Sequence, residues 1–243
     1  MNKDTLYTSL LSQAGDFRFD EQVVSVFPDM IARSVPGYGS MLAVIGQLTE
    51  RFVRAQTDVW DLGCSLGAAT KQICALAPAS VTVHAVDKSH AMIKELREAS
   101  ARWSHSCTLR IEEQDLREIQ VTNASLVVMN LTLQFIAPSE RDNVIHRIAA
   151  GILPGGALLL SEKICFEEPV TQELMTELHH DFKRANGYSD LEIARKRTAI
   201  ENMLIPESLD RHCQRLSDSG FRQVIPWFQC FNFCSILAIR CIA

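Results

Sequence analysis

The segment Asp61-Leu62-Gly63-Cys64-Ser65-Leu66-Gly67 closes the apolar run TDVWDLG, so an acid and a pair of glycines fall where a buried strand must turn. Glycine has no Cβ, which lets the backbone turn tightly and approach a ligand closely. Three more apolar runs end on polar residues. Asp87 ends SVTVHAVD, about 20 residues further on, where an acid can accept from both hydroxyls of a ribose. Asp115 ends CTLRIEEQD beside Leu116, where a carboxylate can accept from an adenine amine while the next backbone N–H donates. Asn130, between Met129 and Leu131, ends ASLVVMNLT and carries a polar side chain to the same edge. Each has a plainer alternative: a strand–helix turn, a helix N-cap beside Ser89, a solvated turn acid, an ordinary strand-end residue. Four successive strand ends carrying suitable groups point together to a nucleoside ligand. No GKS/T follows the glycines, which argues against a nucleotide phosphate loop.

The rest of the chain supplies elements that would hold these positions in line. The periodicity predicts helices over Phe19–Ser34 and Met41–Val53, interrupted at Pro36-Gly37-Tyr38. From Thr57 strands and helices alternate: a helix over Gly67–Leu76, another over Ser89–Trp103 with Ser89 as N-cap, and a third from Pro138 to Ile152. Pro154-Gly155-Gly156 is expected to separate that third helix from a fifth strand, GALLLSEKI. After a charged helical stretch over Glu168–Leu204 and a helix over Pro206–Ser219, FRQVIPWFQC and NFCSILAIRCIA read as a closing strand pair, with Pro226 marking a bend or an edge. Strands alternating with helices imply a mostly parallel sheet of seven strands with helices on both faces. The expected organisation is one domain: a helical cap (1–56), a Rossmann-like core (57–164), a helical insertion (165–205), and a closing helix with two strands (206–243).

Composition narrows the function. The 243 residues carry 29 acidic and 24 basic side chains, a net charge of −5, and Arg195-Lys196-Arg197 is a short basic cluster. Tight nucleic-acid binding, which grows with the number of phosphates neutralised, is therefore not expected. No apolar run reaches the roughly 20 residues that span a bilayer, and MNKDTLYTSL lacks a signal-peptide core, so a cytoplasmic protein without membrane contact is expected. Eight cysteines include no CxxC pair, and Cys230 and Cys234 flank an aromatic FNF; reduced thiols on strands, and no metal, are the reading. His179-His180 are adjacent, and adjacent helical residues point about 100° apart, so packing is favoured over one shared site. Trp227 and Phe228 read as core or interface aromatics.

DLGCSLG resembles the (D/E)xGxGxG loop of S-adenosylmethionine enzymes, with Ser65 where that pattern has its central glycine. FDEQVVSVFPDMIARSVPGY, DLGCSLGAAT, HHDFKRANGYSDLEIARKR and WFQCFNF resemble the carboxy-S-adenosyl-L-methionine synthase family, over nearly the whole chain. That resemblance implies the class I methyltransferase fold and an activity other than methyl transfer. S-adenosylmethionine and prephenate would give carboxy-S-adenosylmethionine and phenylpyruvate, and the product would feed a partner tRNA carboxymethyltransferase that makes 5-oxyacetyl uridine at the wobble position. It also implies a homodimer. The family's contacts fall on Tyr38, Gly63, Cys64, Ser65, Asp87, Lys88, Asp115, Leu116 and Asn130, and its carboxylate-binding arginine on Arg197. A sulfonium acidifies its methyl group, and the resulting carbon nucleophile could capture carbon dioxide. Such chemistry needs a dry pocket and a cation that grips carboxylates, for which arginine's planar fork is suited. Arg197 lies in the insertion, so it would reach the site from a lid or from a neighbouring subunit. The competing readings are a methyltransferase acting on a small molecule or RNA, and a non-catalytic S-adenosylmethionine-binding subunit.

Overall fold

A computed structural model describes Asp4, residues 20–200 and residues 203–241. Among them, seven strands form one sheet: β1 (Asp58–Leu62), β2 (Thr82–Asp87), β3 (Thr108–Glu113), β4 (Ala124–Asn130), β5 (Ile152–Lys163), β6 (Phe221–Cys230) and β7 (Phe233–Arg240), in the order β3-β2-β1-β4-β5-β7-β6. β1 to β5 pair in parallel, and β7 runs antiparallel between β5 and β6. β4 (ASLVVMN) is buried along nearly its whole length, as a central strand with helices on both faces must be, whereas β3 at the edge is half exposed.

The helices are α1 (Glu21–Ser34), α2 (Tyr38–Phe52), α3 (Ala68–Leu76), α4 (His90–Ser100), α5 (Pro138–Gly151), α6 (Pro169–Ala185), α7 (Asp190–Ile200) and α8 (Leu209–Asp218). Their starts follow local chemistry. Asp20, Ser89, Glu168 and Ser208 each accept backbone N–H groups from the first turn of the helix that follows. Ser208 sets the start of α8 later than the expected Pro206, because Glu207 is held in a bridge to Ile164. α2 begins at Tyr38 rather than Met41, since Gly37 in the left-handed region (φ 75°) completes the turn between α1 and α2.

One expectation is corrected. Pro154-Gly155-Gly156 does not separate α5 from β5; the strand starts at Ile152, directly after the helix. Ala124 pairs with Ile152 and Leu126 with Ala157, so β5 carries surplus residues that bulge outward, with Gly155 at φ 73°. Pro226 sits as expected, on edge strand β6 next to a register shift. Cys234 is buried, Cys230 partly so, and both are free thiols.

Strand order reverses between β1 and β4, where the crossovers leave in opposite directions. Ligands of doubly wound sheets bind in the crevice beyond the carboxyl ends of strands at such a point. A buried polar knot braces it from one side. The Arg141 guanidinium, fully buried, donates to the carbonyls of Ile136 (2.9 Å), Gln134 (3.2 Å) and Ile205 (2.7 Å) and to Glu207 Oε2 (2.6 Å). It thereby ties the turn after β4 to the segment that follows α7. Arg141→Met should cost about 3–5 kcal/mol, because buried acceptors lose a charged donor. Chemical denaturation checks this; a loss below about 1 kcal/mol would mean that water replaces the guanidinium.

Candidate active site

A cavity of about 1440 Å³ opens at the carboxyl edge of the sheet, lined by all ten residues singled out above: Tyr38, Gly63, Cys64, Ser65, Asp87, Lys88, Asp115, Leu116, Asn130 and Arg197. The loop after β1 forms its floor. Gly63 has φ 79°, and a Cβ there would lie 2.3 Å from the Thr132 side chain, so only glycine fits. Gly67 (φ 77°) is pressed equally closely against Leu96. Ser65, which replaces a glycine of the usual pattern, holds φ 50° all the same. Its N–H donates to Asp87 Oδ2 (2.9 Å), while Gly63 and Cys64 N–H both donate to the Val86 carbonyl (2.8 and 3.0 Å). The loop is thus pinned to the end of β2. Cys64 is buried and burial pushes its thiol well above the ordinary range, so it offers backbone and bulk rather than a nucleophile.

Asp87 also accepts from Ser89 N–H (2.8 Å) through Oδ1. Each oxygen keeps a second lone pair, leaving room for two hydroxyl donors. Asp115 differs from the free acceptor expected for an adenine amine. Arg117 folds back on it with a bidentate fork, Nε to Oδ1 at 3.0 Å and Nη2 to Oδ2 at 2.7 Å, and holds the carboxyl below its usual range. Leu116 packs beside it on the core. Lys88 is exposed at the rim. Asn130 keeps a buried Oδ1 without a partner among the described residues. Arg197, on α7, is exposed on the cavity wall of its own chain and makes no hydrogen bond or ion pair among the described residues.

Asp61 was read only as part of the loop motif, yet it is the most deeply buried acid lining the cavity. Oδ2 accepts from Thr70 (2.6 Å), whereas buried Oδ1 has no partner among the described residues. Burial raises its carboxyl to about 6 against the pull of Thr70. An orphaned carboxylate oxygen in a ligand cavity suits a cationic ligand group. The signal in sequence was an acid inside the apolar run VWDL, next to the glycine turn.

The opposite wall comes from the end of β5, α6, α7 and the β6–β7 turn, and it holds further residues that were not among the ten assigned to the site. Lys163, Lys183, His180 and Asn232 line the cavity there. His179 and His180 both border the cavity, but their roles divide, as the angle between adjacent helical residues leads one to expect. His179 is the packing member, its Nε2 2.8 Å from the Ser34 carbonyl and its ring edge-on to Phe233 at 5.1 Å. Trp227 and Phe228 pack into core clusters, as read.

A Rossmann-like sheet with a glycine-bearing loop, a β2-terminal acid and a cavity at the switch point defines a class I methyltransferase-fold protein. A family model described as a methyltransferase domain matches residues 59–156. An O-methyltransferase family protein from Burkholderia thailandensis superposes with a TM-score of 0.64 at 19% identity, over 92% of this chain and 61% of that one. Magnesium protoporphyrin IX methyltransferase from Synechocystis, with bound SAM, gives 0.55 at 16% identity over 84% and 80%. Carboxy-S-adenosyl-L-methionine synthase from Aliivibrio fischeri is 47% identical over 240 residues, 98% of this chain and 99% of that protein. The one from Vibrio vulnificus is 48% identical over 98% of each. The chain belongs to the carboxy-S-adenosyl-L-methionine synthase family.

S-adenosylmethionine affinity should fall as pH drops through about 6, where Asp61 takes up a proton and no longer attracts a cation. Because the folded carboxyl lies above its unfolded value, ionised Asp61 destabilises the ligand-free fold once pH rises past it. Asp61→Asn should therefore raise the melting temperature of the ligand-free protein at pH 7 while weakening the ligand and flattening its pH dependence. Calorimetry and thermal melts from pH 5 to 8 check both; an unchanged acid limb would acquit Asp61.

Proposed function

We propose that this chain converts S-adenosylmethionine and prephenate into carboxy-S-adenosylmethionine and phenylpyruvate, for use by a tRNA carboxymethyltransferase that builds 5-oxyacetyl uridine at the wobble position. The observation that carries the reading is the charge division of the cavity. Asp61 and Asp87, neither in an ion pair among the described residues, lie at the ends of β1 and β2, while Arg197, Lys163 and Lys183 stand on the far side. A sulfonium cation suits the first half and a carboxylate the second.

Bound S-adenosylmethionine supplies a methyl carbon made acidic by the adjacent sulfonium. The reaction balances as loss of one methyl proton, transfer of carbon dioxide from prephenate to that carbon, and departure of the prephenate hydroxyl, the proton and hydroxide leaving as water. Asp87 accepts the ribose hydroxyls, the Leu116 N–H and Asp115 meet the adenine, and Gly63, Cys64, Ser65, Lys88 and Asn130 close around the remainder. Tyr38, whose phenol burial pushes up and keeps protonated, contributes a neutral donor. Arg197 grips the new carboxylate with its planar fork. Ordinary methyl transfer would not need that cation, which favours the carboxylation reading over a methyltransferase or a binding-only subunit.

We further infer a cytoplasmic homodimer that needs neither metal nor direct tRNA contact. No helix among the described residues is long and apolar enough to cross a membrane.

Mass spectrometry of the nucleoside formed from S-adenosylmethionine and prephenate should show the added carboxylate; S-adenosylhomocysteine alone would return the protein to the methyltransferases. Asp87→Ala should weaken S-adenosylmethionine by about 1–3 kcal/mol through the lost hydroxyl partners. Arg197→Ala should leave S-adenosylmethionine affinity nearly intact and cost the carboxylated product at least about 1.4 kcal/mol, or tenfold. Arg197→Lys should recover part of it. Equal losses for both ligands would make Arg197 structural.

A further inference from the structure

We propose that Lys163, Lys183 and Asn232 form the subsite that holds the carboxylate and hydroxyl groups of the second substrate, with His180 beside them, leaving Arg197 free for the carboxylate that is transferred. The inference rests on the carboxylation reading and deepens it by assigning the anionic substrate's own contacts.

Three observations converge. Lys163 ends β5 and Lys183 lies in the last turn of α6; both are mostly buried, line the cavity, and have no acid or hydrogen-bond acceptor on Nζ among the described residues. Buried ammonium groups are costly without a counter-charge. Lys196 next to them shows the contrast, for it is closed off by Asp4 at 2.5 Å. Secondly, the cations stand close enough to act on one another. Arg197 adds to the effect of burial in depressing Lys163, and Lys163 and Lys196 do the same to Lys183, which is pushed down to about 7. His180 is depressed too, by burial first and then by Lys183, Arg184, Arg197 and Lys163. No carboxylate among the described residues pairs with Lys163 or Lys183, which leaves both ammonium groups able to take an anionic ligand. Thirdly, Asn232 is 2% exposed, lines the same wall from the β6–β7 turn, and its Oδ1 has no partner among the described residues. Two cations and an orphaned acceptor suit a hydroxylated dicarboxylic acid, one carboxylate of which stays on the product.

Packing holds the subsite rigid. Lys163 pairs in register with Phe233, and the Ile164 N–H donates to the Asn232 carbonyl (2.8 Å), so Lys163 and Asn232 share one backbone ladder. His179 against Ser34 and Phe233 seats α6, and with it Lys183, on that ladder.

The test uses the full chain and prephenate as probe, with calorimetry in the presence of saturating S-adenosylhomocysteine and steady-state assay of the carboxylated nucleoside. Lys163→Met and Lys183→Met should each weaken prephenate at least tenfold, leave S-adenosylhomocysteine within twofold, and raise the melting temperature, since each removes an uncompensated buried cation. Lys183→Arg should recover part of the prephenate affinity, and Asn232→Leu should raise the KM for prephenate without that gain in stability. Prephenate affinity unchanged in both methionine variants, with the wild type still making the carboxylated nucleoside, would overturn the subsite and spare the activity. Parallel loss of both ligands and of melting temperature would make the lysines structural and overturn it as well. A wild type that neither binds nor consumes prephenate would overturn the carboxylation reading itself, and the subsite with it.

Discussion

The Ser65 N–H meets the Asp87 carboxylate at 2.9 Å, and this one hydrogen bond ties the loop after β1 to the end of β2. It requires a left-handed backbone at a residue that is not glycine, with left-handed glycines two residues to either side, at Gly63 and Gly67. Without that path, the N–H groups of Gly63 and Cys64 could not both reach the Val86 carbonyl, and α3 would not start where it does. The loop then leaves a floor with no side chain at Gly63, against which Thr132 of the neighbouring crossover packs. Position and shape of the cavity follow from this constraint, because the crossovers that follow β1 and β4 leave in opposite directions there.

A second constraint is electrostatic. Among the described residues the cavity keeps unpaired charge of both signs, in a chain of net charge −5. Burial raises Asp61 and lowers Lys183, so each destabilises its own charged form. For Asp61, a folded value near 6 against an ordinary 3.8 corresponds to about 3 kcal/mol at neutral pH. Stability borne at these positions is lost as pH rises past Asp61 and as it falls toward the Lys183 value, so ligand charges of opposite sign offset costs that the empty fold carries. The rigid knot of Arg141, Glu207 and Arg215 nearby shows the other way to bury charge, with every partner supplied internally.

The segments that distinguish this chain from generic methyltransferase-fold proteins meet in space. Gly37 of SVPGY lies against Phe228 of WFQCFNF so closely that a Cβ would approach its ring at 2.3 Å. Arg33 stacks over Tyr188 of HHDFKRANGYS at 3.9 Å and donates to the Asn186 carbonyl at 2.7 Å. Lys196 stacks over the same tyrosine ring at 4.2 Å. Lys196 lines the cavity and the others brace α1, α6, α7 and β6 behind it, which accounts for a resemblance spread over the chain rather than confined to the glycine loop.

Much of this was legible in the residues themselves. Alternation of apolar runs and helical spacing placed the strands, because period and burial are local properties of a chain. Asp87, Asp115 and Asn130 announced themselves by ending those runs, and Pro226 by its missing N–H. Other features had no local signature. The Arg117 fork on Asp115, the seating of His179 on Ser34 and Phe233, and the bulge that merges α5 with β5 depend on which elements lie side by side. The same holds for Lys163, Lys183 and Asn232. Their sequence contexts are those of ordinary strand-end, helix and turn residues, and only the juxtaposition of β5, α6 and the β6–β7 turn left the lysine ammonium groups and the Asn232 Oδ1 without partners among the described residues. Sequence alone determined the order of elements and the polar strand ends, since those follow from hydrophobic period and turn chemistry. Tertiary structure decided which charges are paired and which face the cavity unpaired, since pairing depends on distances between residues far apart along the chain.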